Sequence, residues 1–137
     1  MVNVVTVKSN KDLRSFIKFP EKLYKNHPQW VPPLRMDEFN TLKRSAPAFK
    51  HCEAEYFLAY KGGEIVGRVA AIINNVANTQ WGEKVVRFGW VEFIDDFKVS
   101  SALIKAVVDW GKLKGMTLVK GPLGFSDMDK EGNLHIQ

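Results

Sequence analysis

The chain has 137 residues, of which 45% are hydrophobic and 26% charged, with a formal net charge of +5 and a single cysteine. That length suits one domain with a real core. It holds no run of about 18 apolar residues and no charged-then-apolar leader pattern, which argues against a membrane-spanning helix or a secretory signal, so a cytoplasmic location and no membrane partner are expected. Cys52 alone cannot close an internal disulfide, and without Cys or His at ligand spacing no metal is expected either.

In chain order, Val2 to Val7 alternates as a short strand, and Ser9 or Asn10 can cap the helical pattern from Lys11 to Lys25. On that pattern Lys11, Arg14, Lys18, Lys22 and Lys25 share one face, opposite Leu13, Phe16, Ile17, Leu23 and Tyr24. Pro20 is expected to kink or split it. Residues 1–50 carry ten Lys or Arg against four acids, and residues 51–137 ten against eleven, so the whole excess, +6 against −1, is N-terminal. The basic stripe reads as a solvated face; nucleic acid is disfavoured because aromatics are not interleaved with the charges.

Residues before proline avoid the helical region, so Trp30-Val31-Pro32-Pro33-Leu34 is expected to be extended, with Trp30 and Leu34 docking it on the body. Met36 to Lys43 reads as a short helix with acids first and bases last. A connector follows to His51. Tyr56 to Tyr60 and Ile65 to Ile73 flank Lys61-Gly62-Gly63-Glu64, a hairpin signal. Asn74 to Lys84 is polar and reads as a loop.

Val85 to Ile94 is apolar at both parities, as in a strand buried on both faces. From Phe97 to Lys114 the period changes, with Val99, Leu103, Ala106, Val107, Trp110 and Leu113 on one helical stripe, Asp96 as N-cap and Gly115 as stop. Met116 to Val119 is then a second strand, parallel to the first. The tail from Gly121 is rich in Gly, Asp and Asn, and Leu134-His135-Ile136 looks like the start of a strand, as expected of a truncated domain.

The order strand, helix, helix, hairpin, strand, helix, strand, carried by Phe19-Pro20, Tyr24, Trp30 to Leu34, Phe57-Leu58-Ala59-Tyr60, Val66-Gly67-Arg68, Phe88-Gly89, Glu92, Gly121-Pro122 and Phe125-Ser126, resembles the GNAT superfamily of acyl-CoA-dependent N-acyltransferases. The resemblance covers about residues 13 to 134 and is to the N-terminal part of larger bacterial GNAT-like proteins. It implies a single α/β domain, 1–137, with a mixed, mainly antiparallel sheet and helices on both faces. Its partner would be a small-molecule or peptide amine acceptor; a homodimer or a second GNAT-like half could pack against it. It also implies acetyl-CoA as cofactor, its thioester arm lying between the strands that match Val85–Ile94 and Met116–Val119. Amides near Phe93 and Ile94 would polarise the thioester carbonyl. The pyrophosphate would sit on the helix N-terminus at Lys98, Val99, Ser100 and Ser101.

Two departures stand against this. The loop Asp95-Asp96-Phe97-Lys98-Val99-Ser100-Ser101 is acidic and lacks the superfamily's glycines, and two carboxylates repel a pyrophosphate. The tail offers no tyrosine to act as general acid. The alternative is therefore a non-catalytic GNAT-like domain of a longer protein that has lost cofactor binding.

Glu92 is the candidate catalytic base, weighed against a structural carboxylate bonded to Arg68 or Arg87. Arg68 could bind an anion, carry edge charge or pair with Glu92. Cys52 beside His51 reads as a small semi-buried thiol, since adjacent residues on a strand diverge. His27 and His135 read as surface groups. Ser126 and Asp127, in the turn after Gly121-Pro122, are candidate ligand contacts or turn formers.

Overall fold

In a computed structural model, which describes residues 1–29, 34–121 and 133–135, six strands form one sheet in sequence order. They are β1 (Val2–Thr6), β2 (Cys52–Lys61), β3 (Glu64–Asn74), β4 (Val85–Phe93), β5 (Leu118–Lys120) and β6 (Asn133–His135). Every neighbouring pair is antiparallel except β4 with β5. That pair is joined by the helix expected from the change of period. This is an α/β fold with a mixed, mainly antiparallel sheet.

Side-chain alternation sorts the strands' residues onto two faces. One face carries Phe57, Ala59, Val69, Ala71, Ile73 and Val86 and is covered by α4 (Phe97–Leu113) through Val99, Leu103 and Val107. The other carries Tyr56, Leu58, Ala70 and Ile72 and is covered by α1 (Asn10–Leu23) through Leu13, Phe16 and Ile17, and by α2 (Arg35–Leu42) through Leu42. Tyr56 donates its hydroxyl to the Leu42 carbonyl at 2.7 Å, which ties the end of α2 to β2.

The local signals that held are chemical ones. Ser9 accepts the Asp12 amide at 3.0 Å and caps α1. Gly62 and Gly63 turn the hairpin at φ 59° and 79°, and Gly115 stops α4 at φ 83°.

Four expectations are corrected. Pro20 does not split the first helix: α1 runs through it to Leu23. The polar stretch after β3 is not a loop, since a helix, α3 (Asn75–Trp81), is capped by the Asn74 side chain on the Ala77 amide at 3.0 Å. Its buried residue is polar: Asn78 donates to the Val85 carbonyl at 3.0 Å, where an apolar stripe would have been sought. Leu34 does not dock on the body; it is exposed and precedes α2 as its cap. Finally, β4 is buried on both faces only in its first half, becoming more exposed after Gly89. Trp30 to Pro33, Pro122, Phe125, Ser126 and Asp127 lie outside the described residues.

Candidate active site

The site is built on an irregularity in β4. Ala70 pairs with Gly89 and Arg68 with Glu92, so Val69 faces two residues, Trp90 and Val91. That is a one-residue bulge. Trp90 absorbs it at φ 47°, a left-handed conformation that a bulky side chain rarely adopts.

The extra residue flips the parity of everything after it. Before the bulge Val86 and Phe88 face α4; after it Val91 does, while Trp90 packs among the residues under α1 and α2. Glu92 therefore lands on the α1 face, opposite Arg68.

Arg68 donates from Nη2 to Glu92 Oε1 at 2.6 Å and from Nη1 to the Phe16 carbonyl at 2.8 Å, with its guanidinium 5.0 Å from the Phe16 ring centre. It is 4% exposed and sits on a central strand, so it is not an edge charge. The Phe16 carbonyl is the one that residue 20 would bond in an unbroken helix, and Pro20 has no N–H. Arg68 supplies the missing donor. This is why α1 survives its proline, and the only sequence signal was the spacing from Phe16 to Pro20.

Burial pulls the Arg68 guanidinium pKa down, and the Glu92 charge opposes that shift. Tyr24, in the turn after α1, hydrogen-bonds Glu92; burial first, then that carboxylate's charge, pushes the phenol pKa up. Trp90 donates from Nε1 to Glu38 at 3.2 Å and so fixes α2 to the bulge. Tyr24, Trp90 and Glu38 were not among the expected site residues; the bulge that gathers them leaves no mark in a strand apolar at both parities.

The expected cofactor residues divide into two groups. The Ile94 amide donates to the Val66 carbonyl at 3.0 Å and closes the β3–β4 ladder. Strand alternation turns the Phe93 amide to the opposite edge of β4, beyond Arg87–Lys120, the last β4–β5 pair among the described residues.

The start of α4 does not fit a pyrophosphate. Asp96 accepts the Lys98 amide on its side chain at 2.9 Å, and its carbonyl accepts the Val99 and Ser100 amides at 3.0 and 3.2 Å. Ser100 turns its hydroxyl to the Phe97 carbonyl at 3.1 Å, and Ser101 lies exposed one residue on. Lys61 donates to Asp96 at 3.0 Å; this bond first, then the Lys98 amide, holds the carboxyl below its ordinary pKa. The helix thus supplies its own anion.

Cys52 is buried at the start of β2, and among the described residues no group of three or more His, Cys, Asp or Glu side chains could hold a metal ion. No helix among the described residues is long and apolar enough to cross a membrane. Among the described residues, two open clefts flank α1. One, of about 410 Å³, lies between α1 and α2 and is lined by Arg14, Ile17, Lys18, Arg35, Met36 and Phe39. The other, of about 640 Å³, includes Lys18, Lys22, Lys25, Tyr60 and Glu64.

No protein-family model matches the chain. Two curated proteins are similar along nearly all of it: Protein YghO of Escherichia coli, 34% identical across 96% of this chain, and the bacterial ceramide synthase of Caulobacter vibrioides, 33% identical across 97%. The chain spans about a third of each, 34% and 35%. Among solved structures, a tandem GNAT protein from the clavulanic acid biosynthesis pathway aligns with a TM-score of 0.63 at 15% identity, over 87% of this chain and 35% of that one. The PaiA N-acetyltransferase of Thermoplasma acidophilum, in complex with coenzyme A, aligns at 0.56 and 12% identity, over 87% and 77%. A protein assigned to the GNAT family, from Desulfovibrio desulfuricans, aligns at 0.59 and 12% identity, over 87% and 71%. The fold is therefore of the GNAT, acyl-CoA N-acyltransferase type.

Proposed function

On this GNAT-type fold, we propose that the chain takes part in acyl transfer from an acyl-CoA thioester to a primary amine, and that the amine heads a long-chain base. The observation that carries the reading is 33% identity to a bacterial ceramide synthase across 97% of the chain. A ceramide is an amide between a fatty acid and the amino group of a long-chain base, so that name describes N-acylation.

Acyl-CoA supplies an electrophilic carbonyl and a thiolate leaving group. The chain's own contribution is local. The Phe93 amide would donate to the oxygen on which charge develops, and fixed backbone dipoles need no reorganisation to do so. Glu92, held by Arg68 and Tyr24, would take the proton that the amine loses. Trp90 and Glu38 hold the bulge that sets both groups. No pyrophosphate contact is assigned to α4.

The test supplies sphinganine and palmitoyl-CoA to this chain and to a version extended to the length of its relatives, and reads the N-acylated product by mass spectrometry. Product from either chain is expected, and none from both overturns the reading. Glu92→Gln in the active form should cut turnover by at least about a hundredfold with the circular dichroism unchanged; unaltered turnover removes Glu92 from the chemistry.

One observation favours a second reading, a GNAT unit that binds no cofactor and packs against another such half: the Asp96 carboxylate already occupies the Lys98 amide. Titration of acetyl-CoA into both lengths by calorimetry separates the two. Binding by the longer chain alone, with its turnover unaltered by Glu92→Gln, favours the second, and saturable micromolar binding by the short chain the first.

A further inference from the structure

We propose that the outer face of α1 and α2 is a docking surface for an anionic lipid bilayer. Lys11, Arg14, Lys18 and Lys22 follow one another at steps of three and four residues along α1, and Lys25 extends the row in the turn beyond it. All five are exposed. Arg14 and Lys18 share the α1–α2 cleft with Arg35 and Met36, and Lys18 shares the neighbouring cleft with Lys22 and Lys25, so the row is one continuous patch.

Part of this charge is neutralised within the chain. Lys22 pairs with Glu64 at 2.7 Å, Arg35 pairs with Glu21, and Asp37 lies on α2. Among the described residues Lys11, Arg14, Lys18 and Lys25 form no ion pair within 4 Å, although Glu21 also feels the Lys18 charge and Arg14 lies 5.2 Å over the Phe39 ring, against a net charge of −1 over residues 51–137. Met36, which shares the cleft with Arg14 and Lys18, is 75% exposed, and Leu34, the N-cap of α2, is 71% exposed. A basic row bordered by exposed aliphatic side chains matches the two layers of an anionic leaflet, phosphate outside and hydrocarbon within.

Two other occupants fit less well. Nucleic acid would call for exposed aromatics as stacking platforms, and on α1 Phe16 and Phe19 are buried. A second copy would set like charges against each other across any two-fold contact. The inference stands on this face alone. It would also bring the chain to where a water-insoluble amine resides.

Co-sedimentation of the chain with vesicles tests it, using phosphatidylcholine alone and phosphatidylcholine with about 30% phosphatidylglycerol, at about 0.1 M salt. Binding should be confined largely to the anionic vesicles. The triple variant Lys11→Gln, Lys18→Gln, Lys25→Gln should bind them roughly a hundredfold more weakly, at about fivefold per cation, and Met36→Ser roughly fivefold more weakly. These residues are all exposed, and unchanged melting would confirm that the variants fold. Equal binding to both vesicle types, binding undiminished in the triple variant, or no vesicle binding overturns the proposal. Oligonucleotide binding that the triple variant loses, without vesicle binding, assigns the face to nucleic acid instead. The readout requires no acyl transfer, so its failure and that of the acylation reading are separate results.

Discussion

The two faces of the sheet are built to different rules. Under α4 the contacts are aliphatic and close: a Cβ added at Gly67 would lie 2.8 Å from Leu103 Cδ1 and 2.9 Å from Val99 Cγ1. Under α1 and α2 the interior is laced with polar groups, among them Arg68 with Glu92, Trp90 with Glu38 and Tyr56 with the Leu42 carbonyl. The first face fixes shape by volume, and the second by directed bonds. Among the described residues the second face holds the Arg68–Glu92 pair, and the bulge at Trp90 is what delivers Glu92 to it.

Substitutions on each face should fail in different ways. Leu103→Ala leaves a cavity on the aliphatic side and should cost about 4 kcal/mol in denaturant unfolding, with no double-mutant coupling to Pro20. Arg68→Met strands Glu92 and the Phe16 carbonyl and should cost about 3 kcal/mol. In a Pro20→Ala background residue 20 again has an N–H for that carbonyl, so the same change should cost about 1 kcal/mol less. Equal costs in both backgrounds would show that Arg68 does not stand in for the missing donor. Gly67→Ala overpacks the helix contact and should cost about 2 kcal/mol, a smaller effect because Leu103 and Val99 can give slightly.

The smallest effect is a pH dependence. Asp96 titrates below the ordinary aspartate value of 3.8, so its contribution is present above that value and is lost as the pH falls through its lowered folded-state pKa. The melting temperature should fall on acidification below about pH 4, and Asp96→Asn, which keeps the cap, should lose less on the same descent. Equal acid sensitivity in both proteins would assign the transition to other carboxylates.

Much of the frame was legible because it rests on local chemistry. The Gly62-Gly63 turn, the period change at Phe97 and the stop at Gly115 each announce themselves within a few residues. What escaped is settled at a distance. The continuity of α1 past Pro20 depends on Arg68, far along the chain, and α3 is anchored by Asn78, a residue type that no hydrophobic pattern counts. In the site, Glu92 and its pairing with Arg68 could be anticipated. Its gathering with Tyr24 could not, since the parity of β4 is reset by a backbone kink at Trp90.

The bond from Arg68 to the Phe16 carbonyl also bears on the order in which the chain assembles. A peptide of residues 8–26 alone has only water to offer that carbonyl and should fray at Pro20. In the folded chain β3 brings Arg68 beneath α1 and supplies a donor for that carbonyl. The last turn of α1 and the centre of β3 should therefore open together, and their amides should exchange with solvent as one unit while the turn at Gly62-Gly63 exchanges on its own.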